Sequence, residues 1–174
     1  MREGAGILFV SRSRPPMFLV GRESYVRPSQ HQSATWGDFG GMCKRNEPVE
    51  LAAAREAWEE TGGLLYNCSD LTDLMKASRY VLKLTHQFDA DYRYTLFVVD
   101  INLDCRRNVQ REFDRMYSYL KARRANPDYM LEKCQMEWLS LGEVERNLER
   151  CDYFRTRFRT ILAAHWDEFA EKFG

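Results

Sequence analysis

Between Gly41 and Gly63 the chain reads GMCKRNEPVELAAAREAWEETGG, which brings Glu47, Arg55, Glu56, Glu59 and Glu60 close together in sequence. Glutamates at this spacing repel one another. Like charges four residues apart cost a few tenths of a kcal/mol on an exposed helix, and more where water is excluded. Two kinds of partner offset that cost. Hard divalent cations such as Mg²⁺ or Mn²⁺ prefer carboxylate oxygens, and an arginine fork holds a carboxylate in a fixed orientation. The competing reading is a solvated acidic helix face with no chemistry at all.

Pro48 suits a first helical position, and Gly62-Gly63 suits a stop, so the spacing predicts a helix from Pro48 to Thr61. With Glu56 set at zero and about 100° per residue, Glu60 lies near 40° and Glu59 near 300°. The three carboxylates then share one face, with Leu51, Ala54 and Trp58 opposite. This geometry predicts that Leu51 and Trp58 enter the core while the carboxylates project outward together. Ala52 and Ala53, on the carboxylate side, would leave room there for a bulky group.

The segment resembles the Nudix box, GX5EX7REUXEEXGU with U a bulky apolar residue. Gly41, Glu47, Arg55, Glu56, Glu59, Glu60 and Gly62 match, whereas Ala57 and Gly63 stand at the two apolar positions. Trp36 ahead of Gly40-Gly41, and Glu137-Trp138 ahead of a capped helix, resemble the family's flanks. Phe39 stands where many members carry a proline. The resemblance implies a hydrolase that cleaves the pyrophosphate bond of a nucleoside diphosphate linked to another moiety, with Mg²⁺ or Mn²⁺. It implies an α/β/α sandwich with a mixed sheet, here with extra C-terminal helices. Glu56, Glu59, Glu60 and the Gly41 carbonyl would bind metal, Arg55 would orient the glutamates, and Glu47 would support the loop–helix–loop or reach the metals through water. Glu56 is the first candidate for general base, and Glu132 and Glu137, near the last strand, are the alternatives. Glu56, Arg55, Glu59 and Glu132 form the catalytic set.

Other segments must position this helix. Ala5–Val10 and Met17–Val20 read as strands joined by a turn through Pro15-Pro16, and Trp36–Gly41 as a short strand. Tyr80–Thr85 and Tyr92–Ile101 are further strands. The second is apolar on both faces, as expected for a central strand covered on two sides. Val109–Arg124 has the spacing of an amphipathic helix, and Met136–Leu139 that of a last strand. Ser140 and Glu143 form a capping box for a helix from Leu141, and a final helix is expected over Asp152–Phe173. With 174 residues, one domain over 1–174 is expected.

Composition narrows the function classes. The 26 Lys and Arg balance 26 Asp and Glu, which disfavours a globally basic nucleic-acid binder. Arg106–Arg124 nonetheless carries seven basic residues against two acidic ones, a local excess that could guide RNA. No apolar run reaches the roughly 20 residues a membrane span needs. Five widely spaced cysteines without a CxxC pair read as free thiols in the cytoplasm or another reducing compartment. The Asn67-Cys68-Ser69 sequon is read as chance.

Arg22 and Tyr25 are candidates for substrate binding, as phosphate contact and base-stacking ring. His31 and His86 are weaker ones, and Trp58 and Trp138 are assigned to the core. The leading function is hydrolysis of a small nucleotide. The alternatives are an RNA-directed enzyme removing an mRNA cap or 5′ pyrophosphate, and an inactive module that binds nucleotide or RNA. Oligomeric state is open, a homodimer included.

Overall fold

The computed structural model describes residues 1–11, 13–24, 35–101, 106–123 and 132–174, with the side chains of 106, 107 and 123 left aside. The strands are β1 (Arg2–Ser11), β2 (Met17–Glu23), β3 (Trp36–Gly37), β4 (Phe39–Met42), β5 (Leu82–Asp89), β6 (Tyr92–Ile101) and β7 (Lys133–Ser140). The helices are α1 (Val49–Thr61), α2 (Cys68–Lys76), α3 (Arg106–Arg123), α4 (Leu141–Leu148), α5 (Thr156–Ala164) and α6 (Trp166–Phe173).

All seven strands join one mixed sheet in the order β3-β2-β1-β6-β5, with β4 on β1 and β7 on β2. β1 and β6 run parallel over their full lengths, and the other pairs are antiparallel. β6 lies between β1 and β5 and is buried from Tyr94 to Val99, as its two apolar faces predict. Along one edge of β1, Phe9–Ser11 pair with β2 while Gly4–Ile7 pair with β4. The strands β2 and β4 therefore diverge, and polar side chains fill the gap between them.

Two apolar layers flank the sheet. Ile7, Phe9 and Phe97 pack with α1 alanines, Leu71, Met75, Val109 and Phe113 on one side. Leu8, Phe18, Leu96 and Val98 pack with Val144, Phe158, Ile161, Leu162 and Phe169 on the other. The result is the expected α/β/α sandwich, its second layer completed by the C-terminal helices. The expected final helix is two helices, broken at His165, whose φ of −124° lies outside the helical region. The nine-residue helix α2 lacks the length that periodicity arguments need and is an addition to the sequence reading. Its N-cap is Asn67, which accepts from the Asp70 N–H at 2.8 Å, giving the sequon asparagine a structural role.

The capping box of α4 is formed: the Glu143 N–H donates to Ser140 Oγ at 3.3 Å, and the Ser140 N–H donates to Glu143 Oε2 at 2.8 Å. Those Ser140 bonds, backbone first, hold the Glu143 carboxyl below its ordinary value of 4.5. Ser140→Ala is expected to cost about 1 kcal/mol at neutral pH. A group depressed in the folded state contributes its stability above the unfolded pKa and loses it as pH falls through the folded one. The difference in urea midpoint between Ser140→Ala and the parent should therefore narrow below pH 4.5.

Candidate active site

The glutamate helix starts and stops where its sequence signals do. Pro48 is the residue before the first turn, and Gly62 closes the helix in the left-handed region at φ 62°. Gly63 follows at φ 71°, with Trp58 Nε1 only 2.8 Å from where a Cβ would stand. A bulky apolar residue does not fit that turn, which accounts for one departure from the box. Ala57, the other departure, is fully buried.

Arg55 is the centre of the site. Its Nε and Nη2 donate to Glu47 Oε1 and Oε2 at 2.8 and 2.9 Å, a two-bond grip. Its Nη1 donates to Glu56 Oε1 at 2.7 Å and to Glu59 Oε2 at 3.4 Å, and Nη2 reaches the Met42 carbonyl at 3.2 Å. One guanidinium thus holds three carboxylates and the strand that carries Gly41. The hydrogen bonds from Arg55 keep the Glu47 carboxyl below its ordinary range. Glu56 goes the other way. Burial raises its pKa, Arg55 opposes the rise, and the charges of Glu59 and Glu47 add to it. The Glu56 carboxyl lies so near Gly41 that a Cβ there would stand 2.6 Å from its carboxyl carbon. A glycine is needed at that position to let the carboxylate approach the backbone.

The expectation that three carboxylates project together is corrected. The buried side of α1 carries Ala52, Ala53, Ala54, Ala57, Glu60 and Thr61, while Leu51 and Trp58 are only half-buried. The alanines leave no vacancy for a bulky group; they bring the helix close to the sheet. Trp138 is also half-buried, packed at the margin of the same layer. Glu60 is 2% exposed. Its Oε2 accepts the Gly40 N–H at 2.8 Å, and its Oε1 stands 3.5 Å from Lys133 Nζ. Burial pushes its carboxyl up to about 8, with Lys133 the strongest opposing charge.

Glu132 is brought to this neighbourhood. Its carbonyl accepts the Ser24 N–H at 2.8 Å, and its carboxyl is raised by desolvation and then by the charges of Glu56 and Glu23. Glu137 is not. It accepts from Tyr153 Oη at 3.1 Å, on the sheet face of Leu139, opposite to α1. Arg22 shares that far face, donating to Gln135 Oε1 at 2.9 Å. His86 packs edge-on to Phe88 on β5. Tyr25, His31 and Arg124 lie outside the described residues. Cys43, Cys68, Cys134 and Cys151 are free thiols, and burial pushes Cys43 up to about 11, far from a reactive thiolate.

A NUDIX domain model matches residues 1–153. The chain belongs to the Nudix hydrolase family. Solved Nudix structures share the fold. An Ap4A hydrolase from C. elegans, in a binary complex, superposes with a TM-score of 0.54 at 17% identity, covering 98% of this chain and 99% of that one. A bifunctional NMN adenylyltransferase/ADP ribose pyrophosphatase from Francisella tularensis, complexed with AMP and a Mn ion, gives 0.55 at 13% identity. The match covers 96% of this chain and 41% of that one. The RenU Nudix hydrolase from M. smegmatis gives 0.54 at 16% identity, covering 97% and 86%. No curated protein sequence matches the chain.

The donor chemistry of this Nudix box fits a hard divalent ion. It offers carboxylate and carbonyl oxygens, with Glu56 and Glu59 drawn to the same Arg55 nitrogen. Among the described residues no three acidic, imidazole or thiol side chains yet converge on one point. Arg55 supplies the positive charge between the two. Sequence reasoning missed Lys133, Asp38 and Arg155, whose buried charges surround Glu60. The signal available was a lone lysine opening β7, next to the apolar Met136, Trp138 and Leu139.

Proposed function

We propose that this chain is a Mg²⁺- or Mn²⁺-dependent pyrophosphohydrolase acting on a nucleoside diphosphate linked to another moiety. One observation carries the reading: Arg55 gathers Glu47, Glu56 and Glu59 beside the Gly41 backbone. Glu56, Glu59 and the Gly41 carbonyl would hold the ion, with Glu60 from the buried side through its remaining lone pairs. A bound divalent ion neutralises phosphate charge and acidifies water. The chain's own work is orientation. Arg55 fixes the Glu56 and Glu59 carboxylates before substrate arrives, so that no reorganisation is needed during reaction. Glu56 is the base we assign for the attacking water, and Glu132, just before β7, the alternative. Substitution at phosphorus needs positioning and charge stabilisation above all, which such a site supplies. Tyr25 remains our candidate for substrate contact, whereas Arg22, on the far face of the sheet, does not. One domain over 1–174 is our reading, supported by α5 and α6, which complete the second apolar layer. Free thiols accord with a cytoplasmic or other reducing compartment. No described helix is long and apolar enough to cross a membrane.

A second reading, an RNA-directed enzyme removing a cap or 5′ pyrophosphate, draws on α3. Arg111, Arg115 and Tyr119 are exposed at four-residue spacing on one stripe. The same helix packs by Met116 against Gly62, at the end of the glutamate helix.

The test is incubation with Mg²⁺ or Mn²⁺ and a panel containing Ap4A, ADP-ribose, nucleoside triphosphates and capped RNA. Release of a nucleoside phosphate from a small nucleotide is the expected result. Release only from RNA, with steep salt dependence, would favour the second reading. Tight nucleotide or RNA binding without cleavage of any member would make the chain an inactive binding module.

A further inference from the structure

The gap between β2 and β4 holds a closed ring of buried and part-buried polar contacts. The Gly40 N–H donates to Glu60 Oε2 at 2.8 Å, and Glu60 Oε1 faces Lys133 Nζ at 3.5 Å. Lys133 Nζ, wholly buried, donates to Glu23 Oε1 at 2.5 Å. That same oxygen accepts from Arg155 Nη1 at 3.2 Å. Arg155 then closes the ring on the Gly40 carbonyl, with Nη2 at 3.3 Å. Its outer edge is anchored on fully buried Asp38, whose Oδ1 accepts from Nη2 at 2.6 Å while Oδ2 accepts from Tyr94 Oη at 2.6 Å.

The ring joins five chain segments: β2, β4, α1, β7 and the start of α5. The last of these lies beyond residues 1–153, the part the family model matches. Arg155 is delivered there by the backbone. Its N–H donates to the Trp36 carbonyl at 2.8 Å, and the Trp36 N–H to the Tyr153 carbonyl at 2.9 Å, so residues 153–155 run along β3. Buried ion pairs are about as stable as, or less stable than, apolar side chains of equal volume. Stability alone therefore gives no reason for this many charges in one gap. Geometry does: both backbone groups of Gly40 are pinned, and Gly40 immediately precedes Gly41. Glu60, which would otherwise seek solvent, is held at depth.

Resting on the hydrolase reading above, we infer that Arg155 is a positioning residue for the metal-binding set. From the C-terminal segment it fixes the Gly40–Gly41 backbone and, through Glu23 and Lys133, the Glu60 carboxylate. The planar fork is essential to this role, because it must reach Asp38, Glu23 and the Gly40 carbonyl together. A lysine at the same place keeps the charge but cannot span all three.

The experiment compares the full chain with Arg155→Lys and Glu23→Gln. Binding of Mn²⁺ alone is followed by loss of the free-ion EPR signal, alongside circular dichroism, Tm and kcat. Partners that orient metal ligands typically change metal affinity about 10- to 100-fold when altered. Both variants are expected to show a loss of that size in Mn²⁺ affinity, with kcat at the metal level half-saturating the parent falling in step. A role confined to stability would lower Tm and leave Mn²⁺ affinity per folded molecule intact, and that result overturns the inference. Should Arg155→Lys not fold, Glu23→Gln decides alone, since it changes one partly exposed oxygen for an amide nitrogen. A parent chain that neither binds Mn²⁺ nor cleaves a nucleotide overturns the hydrolase reading itself.

Discussion

Glu59→Gln is expected to give a folded protein with turnover reduced roughly 1,000-fold. Metal-assisted stabilisation of charge at phosphorus is worth several kcal/mol, and each 1.36 kcal/mol is a factor of ten in rate. Glu59 is well placed to show this effect without confusion from the fold. Its side chain is 19% exposed, and its ion pair with Arg55 is the longest of the three that arginine makes, at 3.4 Å. A part-buried pair this long is the weakest of the three, and its loss is expected to cost about 1 kcal/mol of stability. Glutamine keeps the volume and removes the charge. Steady-state kinetics on the best substrate of the panel, with Tm as the control, measure the outcome. Wild-type kcat in this variant would show that the site has been placed wrongly.

Arg55→Met should damage stability and turnover together. The guanidinium is paired with Glu47, Glu56 and Glu59, which are 15%, 14% and 19% exposed in their side chains. Without it, three carboxylates share a small region with only the more distant charge of Lys44 to oppose them. Removing one partner of a largely buried ion pair costs about 3 kcal/mol or more, roughly 6–12 °C in Tm for a chain of this length. Mn²⁺ should recover part of that loss, because an ion that binds only the folded state stabilises it by mass action. Thermal melts with and without Mn²⁺ test both parts. A Tm equal to the parent's would mean that Arg55 is not the charge centre of the site.

The sequence located the glutamate helix nearly to the residue because its signals are local. Pro48, Gly62 and the Arg55-Glu56 pair all belong to one helix of fewer than four turns. Strand β6 was legible for the same reason, with apolar residues on both faces around the run Leu96–Val99. The orientation of α1 was not legible. Leu51 and Trp58 are the most apolar residues on it, yet the sheet surface accepts the alanine side. A helix riding on Ala52, Ala53 and Ala57 approaches more closely than one riding on a tryptophan, and only the sheet decides which is preferred. Glu60 illustrates the same limit. Its burial depends on Lys133, far along the chain, and on Gly40, a backbone donor that no side-chain pattern advertises. The C-terminal break at His165 and the reach of Arg155 into the site were hidden for a related reason. Both arise from tertiary packing rather than from periodicity.

The most direct test of the central claim is a Mn²⁺ titration, followed by EPR, of the parent chain and of a Glu56→Gln/Glu59→Gln double variant, both confirmed as folded by circular dichroism. The parent should remove Mn²⁺ from solution with saturable stoichiometry, and the double variant should leave the free-ion signal almost untouched. Equal uptake by the two would contradict the claim that these carboxylates hold the ion.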